Sequence, residues 1–310
     1  MTATITIRPF ETDDQPAVLE LLRQALGEAA LRRTTALFTW KHVNNPFGRS
    51  IMFVAEDPQG IVGFRAFMRW ELATVDDQRL RCVRAVDTAT HPRARRQGVF
   101  KRLTLEAINA ARAEGVDLIF NTPNARSGAG YLSMGWTEVG PIGTLVRPRS
   151  PRSWRRSDAP AEVTIGTPWR DQAVVDRQPR GLRTPRTPEY LRWRFGAHPS
   201  ADYRVVANRG GMAVVRPNLR RERRELVVSE IFGSGAGSAI RMAARNTDAA
   251  YLVGWFSSRS PERAAAIGAG LLPVPGVTAL TLFARPLRQL ATDVTQLNRW
   301  DLSLGDLELL

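Results

Sequence analysis

The sequence predicts an α/β (α+β) fold in two halves, and three observations support this prediction. Strand patterns rich in β-branched residues alternate with helical patterns through the first half of the chain. A stretch rich in arginine, proline and serine follows, which is the composition of a linker. Beyond it, a similar order of strands and helices begins again. The predicted division is a first domain at 1–147, a linker at 148–162 and a second domain at 163–310.

The first domain opens with a strand and an amphipathic helix. Residues 5–10 alternate in hydrophobicity, and the acidic, proline-containing segment 12–16 has the signals of a helix start. Three further strands are predicted at 51–56, 61–70 and about 72–75, each bounded by turn residues. These strands are expected to form hairpins that lead into the central part of the domain.

The centre of the domain is a strand, a basic loop, a helix and a second strand. A buried strand is predicted at 83–90, a helix at 98–114 and another buried strand at 116–120. The first N–H groups of a helix lack partners and carry partial positive charge, so an anion is stabilised there. Arg95 and Arg96 add charged donors to the same loop. The sequence therefore predicts a phosphate site, with a merely solvated basic surface as the alternative.

Two motifs lie in this stretch. The loop matches the pattern Arg/Gln-x-x-Gly-x-Gly/Ala, with Phe100 in place of the usual last small residue, in Arg95-Arg96-Gln97-Gly98-Val99-Phe100. Downstream, the pattern Asn-x-x-Ser/Ala…Tyr-x-x-x-Gly-Phe/Trp is matched by Asn124, Ser127, Tyr131, Gly135 and Trp136. In this order and spacing, the two stretches resemble motifs A and B of the GNAT superfamily of acetyl-CoA-dependent N-acyltransferases.

The resemblance implies both a fold and a co-substrate. Each half would be a mixed, largely antiparallel central sheet flanked by helices, and the first half would bind acetyl-CoA without a metal. By resemblance, Ala89 and Thr90 offer backbone amides to the pantetheine arm and the thioester carbonyl, and Asn124 lies along the same arm. The acetyl-CoA-binding residues are then Ala89, Thr90, Arg95, Arg96, Gln97, Gly98, Val99, Phe100 and Asn124.

The resemblance also implies two catalytic residues. Tyr131 matches the tyrosine that protonates the departing thiolate, a role open to a phenol because phenols are protonated at neutral pH. The alternative for Tyr131 is a helix tyrosine packed under the sheet. Asp87 is the only carboxylate in the central strand. It is a candidate base acting through water, or a group that binds an amine substrate.

Composition narrows the class of protein. A net charge of +14 would suit a polyanion partner, but the 44 basic residues include only two lysines, Lys41 and Lys101. Such a bias indicates a general preference for arginine rather than a nucleic-acid surface. The single cysteine, Cys82, excludes an intramolecular disulfide and suits a cytoplasmic location. The three histidines are too scattered for a zinc cluster, and no apolar run reaches membrane-spanning length.

The second half repeats features of the first. Residues 190–199 resemble 38–46, with Trp193 in the place of Trp40, and a hairpin, central strand, helix and strand are predicted after them. We interpret this half as a diverged GNAT-like domain, with an unrelated α+β domain as the alternative. Its glycine loop 233–237 is predicted to be a structural turn, because it has no arginines and lacks the third glycine of a dinucleotide-binding fingerprint.

These features predict an acetyl-CoA-dependent N-acyltransferase that acts on a primary amine of a small molecule. An amino sugar or a natural-product intermediate is slightly favoured as the acceptor. The alternatives are a protein N-acetyltransferase and a non-catalytic sensor or scaffold that binds acetyl-CoA. One acetyl-CoA is expected per chain, since only the first half carries both motifs. No nucleic-acid or membrane partner is expected, and a homodimer is left open.

Overall fold

The structure is a computed structural model of the 310-residue chain, and it describes residues 4–26, 34–148, 166–169, 174, 176–208 and 210–308. The chain forms two compact units. The first unit comprises Met1–Leu72, Arg79–Val139 and Leu282–Thr295. The second comprises Ala73–Gln78, Gly140–Thr281 and Gln296–Leu310. The units are therefore not two successive segments of the sequence.

The first unit is built on a mixed β-sheet. Its strands are β1 (Thr6–Pro9), β2 (Ile51–Asp57), β3 (Gly60–Ala73), β4 (Arg79–Thr90) and β5 (Leu118–Asn121). They lie in the order β1-β2-β3-β4-β5. β1 pairs antiparallel with β2 and β2 with β3, whereas β4 and β5 run parallel. The long β3 includes Leu72 and Ala73, the first two residues of the segment predicted as a separate strand at 72–75.

Helices cover both faces of this sheet. They are α1 (Gln15–Leu26), α2 (Thr35–His42), α3 (Val99–Ala113) and α4 (Ala125–Ser133). Thr34 caps α2, because its hydroxyl oxygen accepts the backbone N–H of Leu37 at 3.1 Å. Gly98 precedes α3 with φ +71°, a left-handed conformation that glycine adopts without steric cost. The predicted helix at 98–114 is thus confirmed to within a residue at each end.

Apolar side chains of the strands alternate between the two faces of the sheet, as pleated strands require. On one face, residues of α1 and α2 pack with Met52, Val54, Phe64 and Ala66. On the other face, residues of α3 and α4 pack with Phe67, Val83, Ala85 and Ile119. β3 therefore presents Phe64 and Ala66 to α1 and α2 and Phe67 to α3 and α4. Arg65 lies between Phe64 and Ala66, so the alternation places its side chain on the face covered by α3 and α4.

The second unit also contains a mixed sheet. The strands of this part of the chain are β6 (Thr137–Pro148), β7 (Thr167–Pro168), β8 (Arg204–Asn208), β9 (Gly211–Arg220), β10 (Arg223–Phe232), β11 (Tyr251–Gly254) and β12 (Leu272–Pro286). The sheet runs in the order β6-β11-β10-β9-β8-β7. β8, β9 and β10 form antiparallel pairs, and β10 runs parallel to β11.

The helices of the second unit follow the same order as those of the first. They are α5 (Pro188–Leu191), α6 (Ala236–Arg245), α7 (Pro261–Gly268) and α8 (Leu304–Leu307), with a π-helical turn at Arg192–Gly196. α6 joins the parallel strands β10 and β11, as α3 joins β4 and β5. This repeated order agrees with a second GNAT-like half, which stays a prediction.

Two strands pair differently from the sequence prediction. The sequence pattern at 139–146 predicts a strand that closes a last hairpin of the first domain. In the structure β6 pairs antiparallel with β11, and the last residues of β12 pair antiparallel with β5. The compact units therefore divide the chain elsewhere than at the predicted linker. Hydrophobic alternation specifies that a strand forms, but not which distant strand is its neighbour.

Two further sequence predictions concern the linker and the membrane. Apart from Pro148, the predicted linker at 148–162 lies outside the described residues, which resume at Gly166. Within the described residues, no helix is long and apolar enough to cross a membrane.

Candidate active site

The pairing of β4 with β5 stops partway along β4. The last pair is Arg84 with Phe120, whereas β4 continues to Thr90. Asp87, in this extension, has φ +40°, and a non-glycine residue held there costs about 1–3 kcal/mol. Ala89 is buried and Thr90 is half-buried beyond the last pair. The two strands thus part at the place where the resemblance puts the thioester.

The turn before α3 presents open backbone and unpaired charge. The side chains of Arg95 and Arg96 are exposed, and neither forms an ion pair or a side-chain hydrogen bond with a residue that the structure describes. A Cβ atom placed on Gly98 would meet nothing within 4 Å. The next residue, Val99, is buried and fixes the start of the helix. An anion can therefore approach the first amides of α3 without a steric barrier.

The other two residues of the predicted turn have structural partners. Gln97 donates its side-chain N–H to the backbone oxygen of Arg93 at 3.0 Å, which closes the turn. The ring of Phe100 lies edge-on to the ring of Tyr131, with 5.5 Å between centroids. A Cβ atom on Gly130 would come within 2.9 Å of that ring. Phe100 is thus directed towards α4, and its side chain links the turn to that helix.

Asn124 caps α4. Its side-chain oxygen accepts the backbone N–H of Ser127 at 3.0 Å and the hydroxyl of Ser127 at 3.1 Å. The residue is exposed. The contact of Asn124 with the pantetheine arm stays a prediction.

Tyr131 is buried and contacts a cation. Its phenol oxygen accepts a hydrogen bond from Nη1 of Arg65 at 2.7 Å. Its ring also packs against that of Trp136, 5.0 Å away between centroids. The side chain therefore packs under the sheet, as one interpretation of the sequence expects, and its hydroxyl is held in a defined place. The role of Tyr131 as a general acid stays a prediction.

Asp87 is the centre of a buried polar cluster. One carboxylate oxygen, Oδ2, lies 3.0 Å from Nζ of Lys41 and 3.0 Å from Nε2 of His42. Nδ1 of His42 lies 2.9 Å from the hydroxyl of Ser50. Burial lowers the pKa of His42, and Asp87 opposes that shift. The neutral imidazole then donates from Nε2 to the carboxylate and accepts the Ser50 hydroxyl at Nδ1.

The contacts with Lys41 and His42 affect how readily the Asp87 carboxylate accepts a proton. A carboxylate that accepts hydrogen bonds from an ammonium and an imidazole is stabilised as the anion. That stabilisation weakens Asp87 as a proton acceptor, and it holds the strained backbone at this residue in place. The role of Asp87 in the reaction stays a prediction.

Sequence reasoning missed three residues of this site. Arg65 interrupts an apolar run in β3, and Lys41 is one of only two lysines in the chain. Those two features were visible in the sequence but did not identify a partner for either residue. His42 carried no comparable signal. The partners lie far away along the chain, because Arg65 and Tyr131 are 66 residues apart.

The glycine turn of the second unit is closed by neighbouring backbone. Gly233 has φ +75°, and a Cβ atom placed on it would lie 2.2 Å from the backbone oxygen of Gly210. A Cβ atom on Gly211 would likewise lie 1.9 Å from the carbonyl carbon of Gly235. The β8–β9 hairpin thus covers the start of α6. This packing agrees with the sequence prediction of a structural turn.

Comparisons with known proteins agree with this fold. Residues 6–139 match the family model described as an acetyltransferase (GNAT) domain. A GCN5-related N-acetyltransferase from Anabaena variabilis is 11% identical, with 92% of this chain and 73% of that chain covered and a TM-score of 0.61. A putative acetyltransferase from Pyrococcus horikoshii is 13% identical, with 98% and 95% covered and a TM-score of 0.54. A search of the curated proteins finds no significant match.

A third similar structure was solved with a ligand. Saccharomyces cerevisiae N-myristoyltransferase with bound myristoyl-CoA is 10% identical, with 92% of this chain and 82% of that chain covered and a TM-score of 0.54. At these identities the structural likeness establishes the fold. Residues 6–139 match a GNAT acetyltransferase domain, and the predicted mixed sheet flanked by helices is confirmed.

The residues present fit a CoA thioester. The open space at Gly98 and the unpaired side chains of Arg95 and Arg96 suit a pyrophosphate, which needs donors at close range. The end of the β4–β5 pairing leaves backbone groups of β4 available to a chain-like ligand. Among the described residues, no group of three or more histidine, cysteine, aspartate and glutamate side chains is arranged to hold a metal ion.

Proposed function

We propose that the protein transfers an acetyl or other acyl group from acyl-CoA to a primary amine of a small molecule. The observation that carries this proposal is the association of three features in the first unit. These are the open turn at Gly98, the parting of β4 from β5, and a buried phenol at Tyr131. Phe100 connects them, since it belongs to the turn and packs on Tyr131.

In the proposed complex, Arg95, Arg96 and the first amides of α3 bind the pyrophosphate. Each hydrogen bond to a charged group is worth about 1.5–3 kcal/mol. Backbone groups at Ala89 and Thr90 take the pantetheine arm and polarise the thioester carbonyl, which stabilises the negative charge that develops on its oxygen. Asn124 contacts the same arm while it caps α4.

The reaction is nucleophilic acyl transfer. The amine nitrogen attacks the carbonyl carbon, a C–N bond forms and the C–S bond breaks with its electron pair left on sulfur. Tyr131 then gives the phenolic proton to sulfur, and the proton lost by the amine goes to water or to a carboxylate. General acid catalysis of this kind contributes about a hundredfold to ten-thousandfold in rate.

We assign Asp87 to the binding of the amine or to the holding of the strand, in preference to the role of base. Lys41 and His42 both contact Oδ2 of the carboxylate. If this assignment is right, Asp87→Asn keeps the turnover number within about tenfold, whereas loss of a general base costs about a hundredfold or more. Asparagine is the matched variant, because it tolerates the left-handed backbone of this residue. A larger loss, with unchanged thermal unfolding, would assign the base to Asp87.

The test of the proposed function is release of free CoA thiol from acetyl-CoA in the presence of an amine panel. The panel contains amino sugars, aminoglycosides, diamines, lysine-containing peptides and peptides with a free N-terminus. We expect small amines to raise thiol release above hydrolysis in water, with a mass increase of one acetyl group on the acceptor. Turnover with peptides only would favour protein acetylation.

A binding measurement separates catalysis from sensing. If acetyl-CoA binds in calorimetry but no amine raises thiol release, the proposed transfer is wrong and the protein is an acetyl-CoA-binding module. We expect one acetyl-CoA per chain, because the turn at Gly233 is covered by backbone. A stoichiometry of two would contradict the assignment of that turn to structure.

A further inference from the structure

Arg65 is a buried cation with no carboxylate partner among the residues that the structure describes. The residue is fully buried, and among the described residues its side chain forms a single hydrogen bond, from Nη1 to the phenol oxygen of Tyr131 at 2.7 Å. Its Nε and Nη2 atoms have no hydrogen-bond partner among the described residues. A buried charge without a carboxylate or a full set of acceptors destabilises the folded state. Its presence therefore calls for an explanation.

Aromatic rings supply part of the stabilisation. The guanidinium carbon lies 4.9 Å from the ring centroid of Phe67, 5.2 Å from that of Tyr131 and 5.7 Å from that of Phe100. Such contacts attract a cation to the face of a ring. They do not require a hydrogen bond to the Tyr131 hydroxyl, and they leave the positive charge uncompensated beside that hydroxyl.

The hydrogen-bond chemistry fixes the direction of the phenolic hydrogen. A guanidinium can only donate, so in the contact with Arg65 the phenol oxygen is the acceptor. The phenol has one hydrogen of its own, and no described residue accepts it. That hydrogen therefore points away from Nη1 of Arg65.

We propose that Arg65 is a positioning residue that acts through Tyr131. Arg65 orients the phenolic hydrogen towards the departing thiolate, and it stabilises the phenolate that remains after proton transfer. The inference rests on the proposed acyl transfer. In the step itself the phenolic O–H bond breaks, an S–H bond forms and the phenolate receives the charge-assisted hydrogen bond from Nη1. Solvent later returns a proton to the phenolate.

The test is a double-mutant cycle on the turnover number. Arg65→Met, Tyr131→Phe and the double variant are compared with the wild type, with the Michaelis constant for acetyl-CoA measured in parallel. We expect Arg65→Met to lower the turnover number at least about tenfold while the Michaelis constant changes less than about twofold. The double variant should be no slower than Tyr131→Phe alone, because residues that act as a unit are not additive.

Arg84 provides a matched structural control. It is also a buried arginine of the central strands, and its guanidinium carbon lies 5.1 Å and 5.3 Å from the ring centroids of Trp70 and Phe120. Arg84→Met should lower the melting temperature about as much as Arg65→Met, yet leave the turnover number within about twofold. Equal losses of turnover in the two variants would assign Arg65 to packing and overturn the proposal.

A conservative variant covers the case in which Arg65→Met does not fold. Arg65→Lys keeps the charge but not the planar donors, so it should retain more turnover than methionine and lose its effect in the Tyr131→Phe background. Additive losses in either cycle would show that Arg65 acts apart from Tyr131. Absence of turnover in the wild type would count against the proposed function instead, so the two failures are distinguishable.

Discussion

The two glycine turns of this chain share a backbone conformation and differ in what surrounds them. Gly98 and Gly233 each follow a central strand and precede a helix, with φ of +71° and +75°. A Cβ atom on Gly98 would meet nothing within 4 Å, whereas one on Gly233 would lie 2.2 Å from the oxygen of Gly210. A glycine with positive φ therefore serves ligand access in one turn and close backbone packing in the other.

The two turns also differ in whether their charged side chains are paired. Arg95 and Arg96 are exposed beside Gly98 and have no ion-pair partner among the described residues. Beside Gly233 lies a cavity of about 390 Å³, and the charged residues that line it are Asp176, Arg177, Arg183 and Glu262. These pair with one another, as in the contact of Arg177 with Glu262 at 2.6 Å. The first turn offers charge to an anion, and the second keeps its charges paired.

The two units also differ in the helix that follows the second strand of the parallel pair, which is α4 after β5 and α7 after β11. α4 carries Tyr131, whereas α7 has the sequence Pro-Glu-Arg-Ala-Ala-Ala-Ile-Gly and no tyrosine. The largest expected effect follows from this difference. Tyr131→Phe removes one hydroxyl and keeps the ring, so the turnover number should fall by about a hundredfold to ten-thousandfold. The Michaelis constant for acetyl-CoA should be nearly unchanged, whereas the melting temperature should fall, because Nη1 of the buried Arg65 loses its hydrogen-bond acceptor.

Steady-state kinetics with a true acceptor provide the measurement. More than half of the wild-type turnover in Tyr131→Phe would make Tyr131 a packing residue, and water would then protonate the thiolate. In that case α4 and α7 would differ in how they pack, and not in the presence of a catalytic residue.

The next largest effect concerns the arginines of the first turn. Replacing Arg95 and Arg96 together by alanine removes two charged donors, so the affinity for acetyl-CoA should fall at least about tenfold. Alanine has the same Cβ atom as arginine, so the positive φ of Arg96 adds no new strain. The melting temperature of the free protein should therefore change little.

A charge-matched control lies in the second unit. Arg220→Ala combined with Arg223→Ala removes the same charge from an exposed hairpin, and the affinity measured by calorimetry should stay within about twofold, apart from a general salt-dependent term. Equal weakening in the two double variants would show that net charge, rather than the turn, attracts the ligand.

A third comparison places the same substitution in both turns. Gly98→Ala should cost about 1–2 kcal/mol of stability, because a non-glycine residue is strained at positive φ. Gly233→Ala should cost about 1–3 kcal/mol more, because its Cβ atom also overlaps the oxygen of Gly210. Denaturant unfolding measures both changes. Only Gly98→Ala should weaken acetyl-CoA binding, and weakening by Gly233→Ala would reopen the second turn as a ligand site.

Local features were predicted well from the sequence and distant contacts were not. The helix expected at 98–114 is Val99–Ala113 and the hairpin before β10 lies where its turn residues indicate, because periodicity and turn chemistry are local. The open turn at Gly98 was predicted for the same reason. The pairings of β6 with β11 and of β12 with β5 depend on partners more than a hundred residues away, which no local pattern encodes.

The candidate site follows the same rule. The pattern around Tyr131 marked a residue for the thiolate, but the contact with Arg65 joins residues 66 positions apart. The absence of arginines near Gly233 predicted a structural turn. It did not indicate that the β8–β9 hairpin packs over this turn, which is the reason that the turn is closed. Lys41 was visible as a rare lysine, yet its pairing with Asp87 required the fold.

The smallest expected effect is a pH dependence of stability, and it follows from a comparison of the repeated segments at 38–46 and 190–199. His42 of the first unit corresponds there to Phe195 of the second. Burial lowers the pKa of His42 below its usual value of 6.5, so the folded state holds the neutral imidazole. The unfolded chain then binds more protons below pH 6.5, and the free energy of unfolding falls as the pH falls, by up to about 1.4 kcal/mol per pH unit. This contribution is fully present above pH 6.5 and is lost on acidification.

His42→Phe gives the first unit the residue that the second unit has, and it removes this titration. The melting temperature should therefore fall less between pH 7 and pH 5.5 in the variant than in the wild type, although the variant starts lower because Asp87 and Ser50 lose a partner. Carboxylates elsewhere titrate equally in both proteins, so the difference between the two curves isolates His42. A smaller fall in the wild type than in the variant would mean that the imidazole is protonated in the folded state, with Asp87 as its counter-ion. The Lys41–His42–Asp87 cluster would then carry one more positive charge, and Asp87 would be still less available to an amine.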